Sequence, residues 1–140
     1  MPDENATQSR QPMKRGYKTL LAEANASVQA ITPEDAKALL GDPGVVFVDL
    51  RDPRELLREG LIPAAFHAPR GMLEFWVDPE SPYHKPIFAS GKRFIFYCAS
   101  GWRSALATQA VQQMGLEGVC HLEGGFTAWK KAGFPTETKG

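Results

Sequence analysis

A cysteine and an arginine that could act on one substrate lie in a single short segment, Cys98-Ala99-Ser100-Gly101-Trp102-Arg103-Ser104. An apolar run at 93–97 precedes the segment and predicts a buried strand, and a helix is predicted over 104–114. Ligands of open α/β sheets bind outside the carboxyl ends of the strands, which is where this thiol would lie. Gly101 lets backbone N–H groups turn inward, the helix N-terminus is electropositive, and Arg103 carries a permanent charge. These features favour the nucleophilic thiolate form of Cys98.

The alternative is that Cys98 is a small apolar residue at a strand end, a common place for a buried cysteine. That interpretation requires the glycine, the arginine and the strand–turn–helix context to coincide by chance. The sequence therefore favours a nucleophilic cysteine.

Strands alternate with helices along the chain, which predicts an α/β fold with a mostly parallel sheet. The predicted strands are 28–31, 45–50, 93–97 and 119–122, with a short one within 63–69. The predicted helices are 14–26, 32–40, 53–58, 71–77, 104–114 and 126–132. Residues 78–91 hold three prolines and are expected to be a surface excursion.

The chain is predicted to have three parts: a disordered tail at 1–13, an added helix at 14–27 and one folded domain at 28–136. Its 140 residues suit one domain, and 16 basic and 16 acidic residues balance to zero net charge. This balance gives no support for nucleic-acid binding. The chain has two cysteines, no apolar stretch of membrane-spanning length and a polar start. We expect a soluble cytoplasmic protein.

The cysteine segment resembles the active-site loop of the rhodanese family. Three further segments are similar to family motifs and occur in the family's order. These are Val48-Asp49-Leu50-Arg51, similar to an Asp-x-Arg strand end; Glu59-Gly60-Leu61-Ile62-Pro63-Ala64-Ala65, similar to Gly-His-Ile-Pro-Gly-Ala; and Leu122-Glu123-Gly124-Gly125-Phe126-Thr127-Ala128-Trp129, similar to Gly-Gly-x-x-x-Trp. Leu61 stands where the family usually has His, a position we interpret as structural, and Ala64 stands where it often has Gly.

The resemblance implies a three-layer fold with a mostly parallel central sheet flanked by helices. It also implies a sulfurtransferase that moves sulfane sulfur from thiosulfate or a similar small anionic donor to a thiol or cyanide acceptor, which includes protein thiols. Cys98 would carry the sulfur as a persulfide, Arg103 would fix the loop, and neither a metal nor an organic cofactor would be required. From the composition we expect no nucleic-acid or membrane partner. The expected substrate-binding residues are Ala99, Ser100, Gly101, Trp102, Ser104 and, at the pocket rim, Arg70.

Other reactive or aromatic residues are expected to be structural. We assign Cys120 and Phe75 to the core, leave Trp76 open between core and pocket, and interpret Asp49 and Arg51 as a buried ion pair. The three histidines, His67, His84 and His121, lack metal-ligand spacing and are expected to be structural.

Two other functions stay open. The protein could be a persulfide carrier or sensing module that acts on a protein partner with little turnover of small donors. It could also be phosphatase-like, since related folds use a cysteine–arginine loop on phosphate or arsenate. In those families the phosphate-handling members place one more residue between cysteine and arginine, whereas four residues separate Cys98 from Arg103. The resemblance therefore favours sulfur.

Overall fold

The protein forms a central sheet of five parallel strands with helices around it. The computed structural model describes residues 11–139. Residues 1–10 of the predicted tail lie outside the described residues, and 11–13 belong to no helix or strand. The strands are β1 (Ala30–Ile31), β2 (Val45–Asp49), β3 (Phe66–His67), β4 (Arg93–Tyr97) and β5 (Val119–Leu122), in the spatial order β1-β5-β4-β2-β3. The predicted α/β class with a parallel sheet is confirmed.

The described residues also form six α-helices and two short 3₁₀ helices. The α-helices are α1 (Tyr17–Ser27), α2 (Pro33–Ala38), α3 (Pro53–Glu59), α4 (Leu73–Val77), α5 (Trp102–Met114) and α6 (Gly125–Lys131). The 3₁₀ helices span Arg70–Met72 and Pro86–Ala89. None of the helices within residues 11–139 has the length and apolar character needed to cross a bilayer.

Alternation along the two central strands divides the core between the faces of the sheet, because successive side chains of a strand point to opposite sides. Phe94 and Phe96 pack on one face with residues of α4 and α5. Ile95 and Tyr97 pack on the other face with residues of α2 and α6. Each face is therefore covered by helices, as a parallel sheet requires.

The structure corrects two predictions about packing. Phe75 was predicted to be a core residue, but its side chain is 55% exposed. In the short helix α4, Leu73 and Val77 face the core and Trp76 packs against it, so Phe75 between them is turned to solvent. The excursion at 78–91 is also more than surface, since Phe88 is 4% exposed and stacks edge-on against Phe66.

Helix α1 packs along α5, the helix that follows the cysteine segment. At the C-terminal end of α1, Gln109 and Gln112 of α5 donate hydrogen bonds to Ser27. At its N-terminal end, the Tyr17 ring lies 5.2 Å from the Trp102 ring, centre to centre. The added helix thus reaches the start of α5, beside the cysteine segment.

Ala64 occupies a left-handed backbone conformation, with φ at +62°. A residue with a Cβ is strained in this conformation, and a glycine would not be. The Ala64 N–H donates to Glu137 Oε1 at 2.9 Å, and Leu61 and Glu137 form a backbone bridge. The C-terminal segment therefore holds this turn in place.

Candidate active site

The cysteine segment follows β4, at the point in the sheet where the connections from two neighbouring strands run in opposite directions. Strands β2 and β4 are adjacent, but β2 is followed by β3 on one side of the sheet and β4 by β5 on the other. The loops that leave the carboxyl ends of β2 and β4 therefore diverge and open a crevice. Such a switch point is the usual ligand site of a parallel sheet.

Cys98 begins the loop after β4, and its sulfur is held close to two hydrogen-bonding groups. The residue is 1% exposed. The Gly101 N–H donates to Sγ at 3.2 Å, and Ser104 Oγ lies 3.6 Å from Sγ. The structure thus brings Cys98, Gly101 and Ser104 together at the N-terminus of α5, where the helix dipole favours negative charge.

Gly101 gives the loop its tight path. Its φ is +107°, and it is the residue that precedes the first residue of α5, Trp102. The sequence predicted the helix to begin two residues later, at 104. The helix extends over Trp102 and Arg103 because Gly101 takes up the sharp turn that a side chain would resist.

Helix α6 holds the backbone of the loop through two hydrogen bonds. The Phe126 N–H donates to the Cys98 carbonyl at 2.8 Å, and the Thr127 N–H donates to the Ala99 carbonyl at 3.0 Å. A Cβ at Gly125 would lie 2.6 Å from both carbonyl oxygens. The loop can therefore approach α6 this closely only above a glycine.

Arg103 points to α3, the helix after β2. Its Nη1 and Nη2 donate to Glu55 Oε2 and Oε1 at 2.8 Å and 3.0 Å. Hydrogen bonding from Arg103 lowers the pKa of Glu55 to about 2, and the same contact raises the pKa of Arg103. Glu55 also accepts the Asp52 N–H in a capping box, which fixes its side chain at the start of α3.

Asp49 and Arg51 form the buried ion pair predicted from the sequence. Arg51 Nε and Nη2 donate to the two Asp49 carboxylate oxygens at 3.0 Å and 2.7 Å, and both side chains are fully buried. Arg51 Nη2 also donates to the Gly60 carbonyl at 2.7 Å. The pair therefore fixes the start of the loop after β2 rather than facing the crevice as a reactive group.

The other predicted site residues differ in exposure and in the contacts they make. Ser100 is exposed, Ala99 is half-buried, and Trp102 is 57% exposed beside Tyr17. Arg70 binds Glu74 at 2.8 Å within its own connection. The predicted core position of Cys120 agrees with its 3% exposure. Trp76, which the sequence left open between core and pocket, packs partly buried against the core.

Two residues beside the loop were missed by sequence reasoning. Glu55 could have been noticed as the last residue of the capping box that Asp52 begins, but its pairing with Arg103 depends on the tertiary fold. His121 accepts or donates a hydrogen bond through Nδ1 to Ser104 Oγ at 3.0 Å. Its position in an apolar strand gave no signal of this contact.

Within 11–139, no cluster of three or more His, Cys, Asp or Glu side chains is arranged to hold an ion.

Residues 32–132 match the family model of the Rhodanese-like domain, and the chain belongs to that family. The family supports sulfurtransferase chemistry in general, and the thiosulfate:glutathione sulfurtransferase of Saccharomyces cerevisiae is 34% identical over 115 residues, covering 77% of this chain and 82% of the yeast protein. An uncharacterized protein of Synechocystis is 36% identical over 116 residues, 83% of this chain, and the match spans only 60% of its length.

A solved structure of a protein of unknown function from Rhodopseudomonas palustris is also similar. It is described as a possible tyrosine phosphatase, and it shares 56% sequence identity with this chain. The superposition has a TM-score of 0.88 and covers 91% of this chain and 98% of the other.

Proposed function

We propose that the protein is a thiosulfate sulfurtransferase of the rhodanese type in which Cys98 carries sulfur as a persulfide. One observation carries the proposal: the sulfur lies in a tight loop at the switch point of the sheet and accepts the Gly101 N–H at 3.2 Å. A backbone donor at a helix N-terminus stabilises negative charge. The same charge is present on the attacking thiolate and on the terminal sulfur of a persulfide.

The transfer takes two steps. The Cys98 thiolate attacks the outer sulfur of thiosulfate, a sulfur–sulfur bond forms, and the bond to the sulfonate sulfur breaks with its electron pair, so sulfite leaves. An acceptor thiolate or cyanide then attacks the outer sulfur of the persulfide and the Cys98 thiolate is regenerated. Covalent catalysis of this kind divides one difficult transfer into two easier ones.

The proposed roles of the neighbouring residues follow their positions. Arg103, held by Glu55, fixes the loop and contributes positive charge. Gly101 and Ser104 lie next to the sulfur, and with Ala99, Ser100 and Trp102 of the same segment they would contact donor and acceptor. Arg70 is half-buried and would attract an anionic donor at the rim of the crevice, in competition with its partner Glu74.

The donor and acceptor classes are supported by a relative rather than by a bound molecule. The yeast protein is named for thiosulfate and glutathione. A small anionic donor and a thiol acceptor are the corresponding proposal for this chain, with cyanide as an alternative acceptor. A cytoplasmic location stays a prediction, and the two unpaired cysteines support it because reducing compartments keep thiols free.

Phosphate-ester hydrolysis is the second candidate. The description of the Rhodopseudomonas palustris protein favours it. Glu55 is bound to Arg103 and its pKa is about 2, so it is ionised at neutral pH and cannot protonate a leaving alcohol. We therefore place sulfur transfer first.

Intact-protein mass spectrometry tests the proposal. After incubation with thiosulfate, the natural sequence should gain the mass of one sulfur atom, and a thiol acceptor should remove it. Cys98→Ser should gain none. Cys120→Ser is the matched control and should behave like the natural sequence, because burial raises the pKa of Cys120 and keeps that thiol protonated.

Three outcomes would count against the proposal. Sulfur on Cys120 would contradict the assignment of the carrier. Absence of uptake in the natural sequence would contradict sulfur transfer itself. Uptake that small thiols remove only very slowly would instead favour a persulfide carrier for a protein partner.

A further inference from the structure

Ser104 and His121 form a buried pair next to the Cys98 sulfur. Ser104 is fully buried and His121 is 5% exposed. Ser104 Oγ lies 3.0 Å from His121 Nδ1 and 3.6 Å from Cys98 Sγ. The serine hydroxyl therefore connects the imidazole of β5 with the sulfur at the end of β4.

The other imidazole nitrogen determines how this pair is protonated. His121 Nε2 is buried and has no hydrogen-bond partner among the described residues. Burial lowers the pKa of His121, against the opposing effect of Glu123, so the ring is neutral near pH 7. A neutral imidazole carries one N–H, on either Nδ1 or Nε2.

The buried surroundings favour the proton on Nδ1. A proton on Nε2 would leave a buried N–H without an acceptor, and unpaired buried donors are rarer in proteins than under-satisfied acceptors. A proton on Nδ1 is donated to Ser104 Oγ and leaves only a lone pair unpaired on Nε2. The hydroxyl of Ser104 then has its own hydrogen free for Cys98 Sγ.

We propose that His121 is a positioning residue that turns the Ser104 hydroxyl into a fixed donor to the Cys98 thiolate. The inference rests on the proposed function, since it concerns the sulfur that we assign as the carrier. With the reverse orientation, Ser104 would donate to His121 and direct lone pairs at the sulfur, which would disfavour the thiolate. The two successive hydrogen bonds, from Nδ1–H to Oγ and from Oγ–H to Sγ, instead stabilise the thiolate. They do so both before attack on the donor and after the persulfide has given up its sulfur.

Charged groups on the surrounding elements also influence how easily the Cys98 thiol loses its proton. They are Arg103 on α5, Glu55 on α3, Asp49 at the end of β2, Arg51 in the following loop and Glu123 after β5. Arg103 is paired with Glu55, and Arg51 with Asp49. The Ser104–His121 pair supplies a hydrogen bond rather than a charge.

The test is a pH titration of the Cys98 thiolate by its ultraviolet absorbance. All proteins carry Cys120→Ser, and the signal is the difference from a protein that also carries Cys98→Ser. Ser104→Ala should shift the midpoint upward by roughly one pH unit, because it removes a hydrogen bond to a charged group. His121→Leu should shift it in the same direction, since the hydroxyl is no longer oriented.

Two further variants separate orientation from packing. His121→Asn should keep the midpoint close to that of the parent, because its amide N–H can take the place of Nδ1–H. Thr108→Val is the matched control on α5: Thr108 is fully buried, and its hydroxyl has no hydrogen-bond partner among the described residues. It should leave the midpoint unchanged.

An unchanged midpoint in Ser104→Ala or His121→Leu would overturn the proposal. A shift in Thr108→Val as large as that in Ser104→Ala would also overturn it, because general loosening of α5 would then explain both. The measurement does not require sulfur transfer. A failure of thiosulfate labelling would therefore be distinguishable from a failure of this inference.

Discussion

Arg103 on α5 binds Glu55 on α3 through two nitrogen–oxygen contacts of 2.8 Å and 3.0 Å. The contact joins the helices that follow β4 and β2, and so spans the crevice at the switch point of the sheet. A planar guanidinium matches the two oxygens of a carboxylate, whereas the ammonium of lysine presents a single point of charge. The position of the cysteine loop therefore depends on the shape of this arginine as well as on its charge.

The first prediction is that Arg103→Lys loses most of the sulfurtransferase activity. Lysine keeps the charge but cannot make both contacts to Glu55, so the loop is held less firmly. We expect kcat/KM for thiosulfate to fall roughly tenfold or more, on the scale of one lost charge-assisted hydrogen bond. Steady-state kinetics with thiosulfate and a thiol acceptor measures the change.

Arg58→Lys is the matched control for this substitution. Arg58 also contacts a glutamate, Glu59, but its side chain is 64% exposed and lies at the end of α3. It should leave kcat/KM unchanged. Near-normal activity in Arg103→Lys would show that only the charge at this position matters.

The second prediction concerns pH and stability. The pKa of Glu55 in the folded protein is about 2, below its ordinary value of 4.5, because Arg103 binds the ionised form. Its contribution to the free energy of unfolding is therefore complete above pH 4.5 and disappears as pH falls toward 2. Urea unfolding should show Glu55→Gln less stable than the natural sequence at neutral pH, with the gap closing over that interval.

The hydrogen bond from Arg103 is the largest cause of the lowered pKa of Glu55, ahead of smaller lowering effects of the Asp52 N–H and Arg51 and an opposing effect of burial. Removal of Arg103 should therefore remove most of the pH dependence. In an Arg103→Gln background, Glu55→Gln should change stability by a small amount that varies little between pH 2 and 4.5. A gap that stays constant with pH in the natural background would contradict the assigned role of the ion pair.

The third prediction is that Gly125→Ala displaces the cysteine loop. The added Cβ would lie 2.6 Å from the Cys98 and Ala99 carbonyl oxygens, which is too close for the loop to stay in place. We expect a large loss of activity together with lower stability, measured by persulfide formation and urea unfolding.

Gly133→Ala provides the comparison. Gly133 has a similarly left-handed backbone, with φ at +77° against +63° for Gly125, but a Cβ there would have no heavy atom within 4 Å. Both variants carry the cost of an alanine in that conformation, about 1–2 kcal/mol. Equal effects of the two substitutions would show that the contact beneath the loop is unimportant.

The fold could be predicted from the sequence because the patterns that identify its strands and helices each lie within a short segment. The apolar runs that became β2 and β4 and the glycine that ends α5 can be identified from short windows. The cysteine segment could be chosen as a candidate site for the same reason, since Cys98, Gly101 and Arg103 lie within six residues of one another. The predicted start of α5 was wrong because the length of the turn before the helix depends on the backbone conformation of Gly101. The sequence does not show that conformation.

Contacts between distant segments were outside the reach of those patterns. Glu55 and Arg103 are 48 residues apart, and Ser104 and His121 are 17 apart. Their pairing follows from the strand order, which places the loops after β2, β4 and β5 side by side. Phe75 was assigned to the wrong environment because a helix of five residues is too short to show a reliable apolar face.

The last prediction is sulfur specificity without useful phosphatase activity. Four residues separate Cys98 from Arg103, and the loop is tied between a buried strand, α5 and the N–H groups of α6. The ring of the loop is accordingly small, and Cys98 is 1% exposed within it. One sulfur atom needs little room, whereas a tetrahedral phosphate needs a wider ring with more donors. Because Glu55 is ionised by its pairing with Arg103, it cannot supply the proton that a leaving alcohol requires.

The experiment compares an aryl phosphate with thiosulfate as substrate for the same preparation, and repeats both assays after one glycine is inserted behind Gly101. The natural sequence should transfer sulfur and leave the phosphate ester intact. The insertion should widen the ring and lower sulfur transfer, because Arg103 is moved relative to Glu55 and the N–H donors no longer converge on the sulfur. Cys98→Ser shows the background in both assays. Hydrolysis of the aryl phosphate by the natural sequence at a rate comparable to sulfur transfer would defeat the prediction, and would favour the activity suggested for the Rhodopseudomonas palustris protein.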